Sequence, residues 1–150
     1  MSEKNEKADR KAVKEAGMPT NGELFIAMPA IGKLVDMDFH VSDSIKLRKL
    51  KNQLLEPYKV ITEVRDALIK KYGQEEPKGS GQITVIGPND PNGRPMSPDF
   101  MKFVEENATL MLPVCDAKFE KIKLPSQIDG KPISLSSNDL DRIDKFIEII

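Results

Sequence analysis

The sequence predicts a mainly helical α+β domain, and three observations carry that expectation. Leu47, Leu50, Leu54, Pro57, Ile61, Val64 and Leu68 recur in alternating three- and four-residue steps, a heptad seam interrupted only by a proline. Two further segments, Phe100 to Met111 and Leu140 to Ile150, place apolar residues at helical spacing. Against these stand only short β-branched runs near 82–86, 122–124 and 133–135, enough for a small antiparallel sheet or hairpin. The expected architecture is a long kinked helix, two further amphipathic helices and that sheet. It forms a single domain over 24–150 behind a flexible charged arm, 1–23.

The arm carries Glu3, Lys4, Glu6, Lys7, Asp9, Arg10, Lys11, Lys14 and Glu15, with Val13 almost its only large apolar residue. Such a stretch buries too little to offset its ordering entropy. From Leu24 the chain turns apolar. Leu24, Met28, Ile31 and Val35 have helical spacing, but Pro29 and Gly32 weaken a helix, which places a short helix from about Pro29. Ser42 or Ser44 then caps the long helix, whose last turn holds Lys70 and Lys71 before Gly73, favourable for a carbonyl end. Pro57 removes an amide donor and presses on the Gln53 carbonyl. The heptad phase continues through it, which predicts one kinked helix rather than two meeting near Glu56.

Residues 74–81 read as a linker, and Gln82 to Ile86 as a strand. After a loop rich in proline and glycine, Ser97-Pro98-Asp99 opens a helix with a serine cap, proline at the first position and an acid in the first turn. Phe100, Phe103, Val104, Ala108 and Met111 make its buried face, and Pro113 ends it. Ile122 and Leu124 then alternate with lysines, Asp129-Gly130 supplies a turn with positive φ, and Ile133 and Leu135 form the return strand. Pro125 and Pro132 confine both strands to sheet edges. Ser136 and Asp139 cap a last helix through Leu140, Ile143, Ile147 and Ile150.

Composition excludes some function classes. A net charge of −1 gives no global attraction to nucleic acid or acidic membranes. With one cysteine, Cys115, no internal disulfide framework can form. The N-terminus lacks the apolar stretch of a secretory signal, and the longest mainly apolar run, Leu24 to Ile31, is too short to span a bilayer. A reducing cytoplasmic setting is the simplest expectation, without a membrane partner.

Candidate chemistry is sparse. His40 is the only histidine, so neither a triad nor a histidine metal cluster assembles within one chain, and it reads as a turn residue before the long helix. Cys115 follows Pro113 in an apolar setting and reads as a small buried hydrophobe. The loop Pro88 to Gly93 partly resembles a calcium loop, but with Gly93 in the glycine place the first ligand would be Pro88, which has no side-chain donor. Gly79-Ser80-Gly81 lacks the spacing and the lysine of a phosphate loop. No catalytic set, metal-ligating set or cofactor follows.

Interaction residues are easier to nominate. Lys46, Arg48, Lys49 and Lys51 put four cations in six residues near a helix N-terminus, where the macrodipole disfavours them. They read chiefly as a solvated face whose stems cover the seam, with nucleic acid disfavoured as a partner. Leu55 and Tyr58 lie off the main seam, and Phe146 and Ile149 off the terminal one, a second apolar surface that predicts a homo-oligomer or part of a larger assembly.

The order of elements also carries a resemblance. An apolar N-terminal helix leads into SIKLRKLKNQLLEPYKVITEVRDALIKKYG. There follow the amphipathic DFMKFVEENATLML, the strand KFEKIKLP and a terminal S-x-x-D-L-x-x-I-x-x-F-I pattern over Ser136 to Ile147. This pattern, over about residues 24–150, resembles small uncharacterised proteins of tailed phages and prophages; the charged arm and the PNDPNGRP insertion depart from it. The resemblance implies a non-enzymatic accessory protein in host cytoplasm or virion, acting by contact with phage or host proteins in virion structure or assembly. Its alternative is a regulatory or anti-host factor binding a host protein or nucleic acid. It assigns no functional residue.

Overall fold

The structure, a computed structural model, describes residues 17–150, so most of the charged arm lies outside the described residues. Within them the fold is mainly helical α+β. Four helices, α1 (Asn21–Val35), α2 (Val41–Tyr72), α3 (Phe100–Met111) and α4 (Ser137–Ile143), are described. Six short strands accompany them: β1 (Gln74–Glu75), β2 (Ile83–Thr84), β3 (Ile122–Leu124), β4 (Gln127–Ile128), β5 (Lys131–Pro132) and β6 (Ile147–Ile149). They form three two-stranded sheets, β1–β2 and β4–β5 antiparallel and β3–β6 parallel. The chain divides into two compact units. One joins the described part of Met1–Tyr58 to Val114–Ile150, and the other is Lys59–Pro113.

In the first unit α1 begins at Asn21 rather than near Pro29, inside the stretch expected to be arm. Thr20 and Glu23 form a full capping box, the Thr20 hydroxyl accepting from the Glu23 N–H and the Glu23 carboxylate from the Thr20 N–H, both at 3.1 Å. This cap, with burial of Leu24, Ala27, Met28, Ile31 and Leu34, outweighs the amide that Pro29 removes. Pro19, just outside the helix, is buried, and its carbonyl accepts from the Cys115 N–H at 2.8 Å.

α1 is latched to the C-terminal segment at two points. Lys33 Nζ donates to Asp139 at 2.8 Å on α4, and Lys145 Nζ donates to Glu23 at 3.0 Å. Ser136 caps α4 by accepting from the Asp139 N–H at 3.1 Å, as its spacing predicts. That helix ends at Ile143, however, and the chain turns into β6 instead of continuing helical to Ile150. Ile147 and Ile149 are β-branched and separated by one polar residue, which suits a strand, and they pair in parallel with Ile122 and Leu124.

The expected hairpin therefore has the right turn and a different reach. Asp129 and Gly130 both adopt positive φ (51° and 80°), joining β4 to β5, while β3 finds its partner at the C-terminus. Around these elements Leu24, Ile31, Leu34, Leu47, Leu50, Leu54, Leu124, Ile143 and Phe146 build the core of the unit. Cys115 is buried there, and desolvation pushes its thiol up from the ordinary range.

α2 runs as one helix through Pro57, and the boundary between the units falls directly after Tyr58. In the second unit α2 ends at Tyr72. Gly73 serves there through close approach: a Cβ on it would lie 2.5 Å from the Ile69 carbonyl and 2.8 Å from Ile83. Part of the expected linker, Gln74–Glu75, is the strand that pairs with Ile83–Thr84.

Ser97 is not a helix cap. Buried, it accepts from the Ile86 N–H through its hydroxyl at 2.8 Å and donates its own N–H to the Ile86 carbonyl at 2.9 Å; Asp99 is the N-cap residue. The face Phe100, Phe103, Val104, Ala108 and Met111 is only partly covered. No residue of α3 is fully buried, and Val104 is exposed.

Candidate interaction surface

Helix α2 opens earlier than a serine cap allows. His40 precedes it, its carbonyl accepting from the N–H groups of Asp43 at 3.0 Å and Ser44 at 2.9 Å, while the Ser44 hydroxyl turns back to the Phe39 carbonyl at 3.1 Å. The His40 ring holds the β4–β5 turn, Nε2 lying 3.1 Å from Asp129 Oδ1. Starting at Val41 gives α2 an outer stripe opposite the seam. Val41 is 75% exposed and Ile45 61% exposed, one turn apart, with Arg48, Lys49 and Asn52 continuing the same side. Ile45, Arg48, Lys49, Asn52 and Gln53 line a shallow depression there.

The four cations do not act as one patch. At about 100° per residue, Lys46 and Lys51 stand about 140° apart around the helix, bordering the buried seam on opposite sides. Lys46 is drawn to Asp43, 3.8 Å away, and Lys51 is half-buried. Arg48 and Lys49 are exposed and have no salt-bridge partner among the described residues. A second open surface lies beside the turn between α1 and α2. Asp36, Met37, Asp38, Asp129, Lys131 and Ile133 line a groove of about 430 Å³, and Asp36 and Asp38 likewise have no salt-bridge partner among the described residues.

The apolar residues nominated from the sequence are distributed differently. Phe146 is 0% exposed and tilts against Phe119 with ring centroids 5.1 Å apart, so it is core rather than a docking residue. Tyr58 is half-buried and stacks on Phe25 at 6.1 Å. Leu55 and Ile149 are half-buried as well. Val41 and Ile45 are instead the exposed aliphatic pair at the start of α2. A cap at Ser42 or Ser44 leaves Val41 outside the helix, and its four-residue spacing to Ile45 is the signal in the sequence that finds the stripe.

The loop that partly resembles a calcium site is closed from within. Arg94 donates to Asp90 through its own N–H at 3.0 Å, through Nε at 3.1 Å and through Nη2 at 3.1 Å, and the Asn92 N–H adds a bond at 3.2 Å. The Arg94 guanidinium holds the Asp90 carboxyl at about 2, well below the usual carboxylate range. Asp90 is thereby a loop clamp. Among the described residues no helix is long and apolar enough to cross a membrane. No protein-family model, curated protein or solved structure matches this chain.

Proposed function

We propose that this protein is a non-enzymatic accessory protein of a tailed phage, acting by protein–protein contact in virion structure or assembly, in the host cytoplasm, the particle or both. One observation supports contact as its mode of action: Val41 and Ile45 stand exposed as an aliphatic pair on the outer face of α2, flanked by Arg48 and Lys49. Aliphatic side chains next to flexible cations suit a partially acidic protein surface. The phage setting rests on the sequence pattern described above. A regulatory factor that binds a host protein is the second reading, and it would use the same stripe.

The test is particle association in infected cells. The tagged chain is expected to co-sediment with heads, tails or their precursors, and Val41→Glu/Ile45→Glu to abolish this while circular dichroism stays unchanged. A chain that remains free of particles throughout infection, and is made only early, would favour the host-directed role instead.

A further inference from the structure

We infer that the chain associates with a second copy of itself, the acidic groove beside the α1–α2 turn receiving the aliphatic and basic outer stripe of α2. This deepens the contact reading above and rests on it. Both halves of the interface lie in the first unit. The groove has apolar lining in Met37, Ile128 and Ile133, with Asp36, Asp38 and Asp129 along it and one cation, Lys131, among them. The stripe presents Val41 and Ile45 with Arg48 and Lys49.

The two surfaces are complementary in both respects that decide docking. Aliphatic side chains that water now covers meet that apolar lining. Arg48 and Lys49 have no salt-bridge partner among the described residues, and neither have Asp36 and Asp38. Arg48 borders a cavity with the Asp36 and Asp38 of its own chain, so stripe and groove adjoin and a second copy can offer both at once. Placement of the acids favours an intermolecular role. Asp36 is the C-cap residue of α1, at the negative end of the helix dipole, where a carboxylate is locally unfavourable. A cation from another chain converts that local cost into attraction.

Sedimentation of the full chain over a concentration series, at low and high salt, tests the inference. The expected result is an assembly larger than the monomer whose dissociation constant rises with salt. Asp36→Lys/Asp38→Lys and Arg48→Glu/Lys49→Glu should each weaken association by at least about ten-fold, because like charges then face each other.

Mixing the two variants in equal amounts should restore association, since each supplies the charge that the other lost. That rescue cannot come from a misfolded variant. Lysine at a helix C-cap agrees with the dipole, so the first variant keeps its fold. Should the second fail to fold, Ile45→Glu replaces it as the probe of the stripe, with the same expected loss.

A monomer at every concentration, an assembly indifferent to both charge reversals, or a mixture of folded variants that stays dissociated would overturn the inference. The contact reading fails separately. A monomer whose Val41→Glu/Ile45→Glu variant still loses particle association removes self-association alone. A self-associating chain that never joins particles removes the accessory role alone.

Discussion

Asp139 shows how much one buried carboxylate organises. Its backbone N–H completes the α4 cap, while its oxygens take Lys33 from α1 at 2.8 Å and Arg142 from its own helix at 3.4 Å. The Lys33 ammonium, against the opposing effect of desolvation, holds the carboxyl below the ordinary aspartate range. A depressed folded-state value contributes stability that is present above the unfolded value of about 3.9 and is lost as pH falls through the folded value. The melting temperature is therefore expected to fall on acidification below about pH 4, and Asp139→Asn to lower it at neutral pH and flatten that dependence. A calorimetric pH series on both proteins checks it.

Two glycines give an equally sharp contrast. Gly32 lies within α1, and a Cβ added to it would meet nothing within 4 Å, so Gly32→Ala should stabilise by about 0.5–1 kcal/mol through helix propensity. Gly73→Ala would drive a methyl into the Ile69 carbonyl and the Ile83 side chain, and is expected to cost about 1–3 kcal/mol. Denaturant titration of the two variants should show opposite signs.

At the scale of elements, both ends of the first unit are fixed by neighbours. Thr20→Ala removes half of the capping box and should cost about 1 kcal/mol. Removing residues 1–20 should lower the melting temperature further, because buried Pro19 leaves with the cap. The C-terminal strand is the stronger case. Ile147 is buried in β6 and Phe146 packs on Phe119, so Phe146→Ala is expected to cost roughly 3–5 kcal/mol. Chemical denaturation would detect it, and a change of less than about 1 kcal/mol would contradict the core placement.

At the scale of the molecule, charge is spread rather than gathered. The net charge is −1, and the basic run is divided around α2, with only Arg48 and Lys49 sharing the outer face without a salt-bridge partner among the described residues. Duplex DNA binding should therefore be no tighter than the non-specific range, about 10⁻⁴–10⁻⁶ M at physiological salt. A fluorescence titration that found nanomolar affinity, lost on changing Lys46, Arg48, Lys49 and Lys51 to glutamine, would promote the nucleic-acid alternative.

Local features are legible in the chain alone. The α2 seam through Leu47, Leu50, Leu54 and Ile61, the helix end at Lys70-Lys71, the Ser136 cap and the Asp129-Gly130 turn all follow from spacing and from backbone preferences that act within a few residues. The mainly helical α+β class follows from the same signals. Val64, on the same heptad phase as the seam, is nonetheless exposed, and Leu68 only half-buried. Long-range packing selects the rest. Ile147 and Ile149 fit a helical face and an alternating strand equally well, and only β3 beside them selects the strand. Pro29 argues against a helix locally, yet burial of Leu24, Met28, Ile31 and Leu34 along α1 outweighs it. Periodicity likewise leaves open whether an apolar residue is core or surface: Phe146 lies off the terminal seam but fills the interior, whereas Val41 and Ile45 lie outside. Such choices depend on partners outside the segment, such as Ile122 for Ile147 and Phe119 for Phe146, and periodicity within one segment carries no information about them.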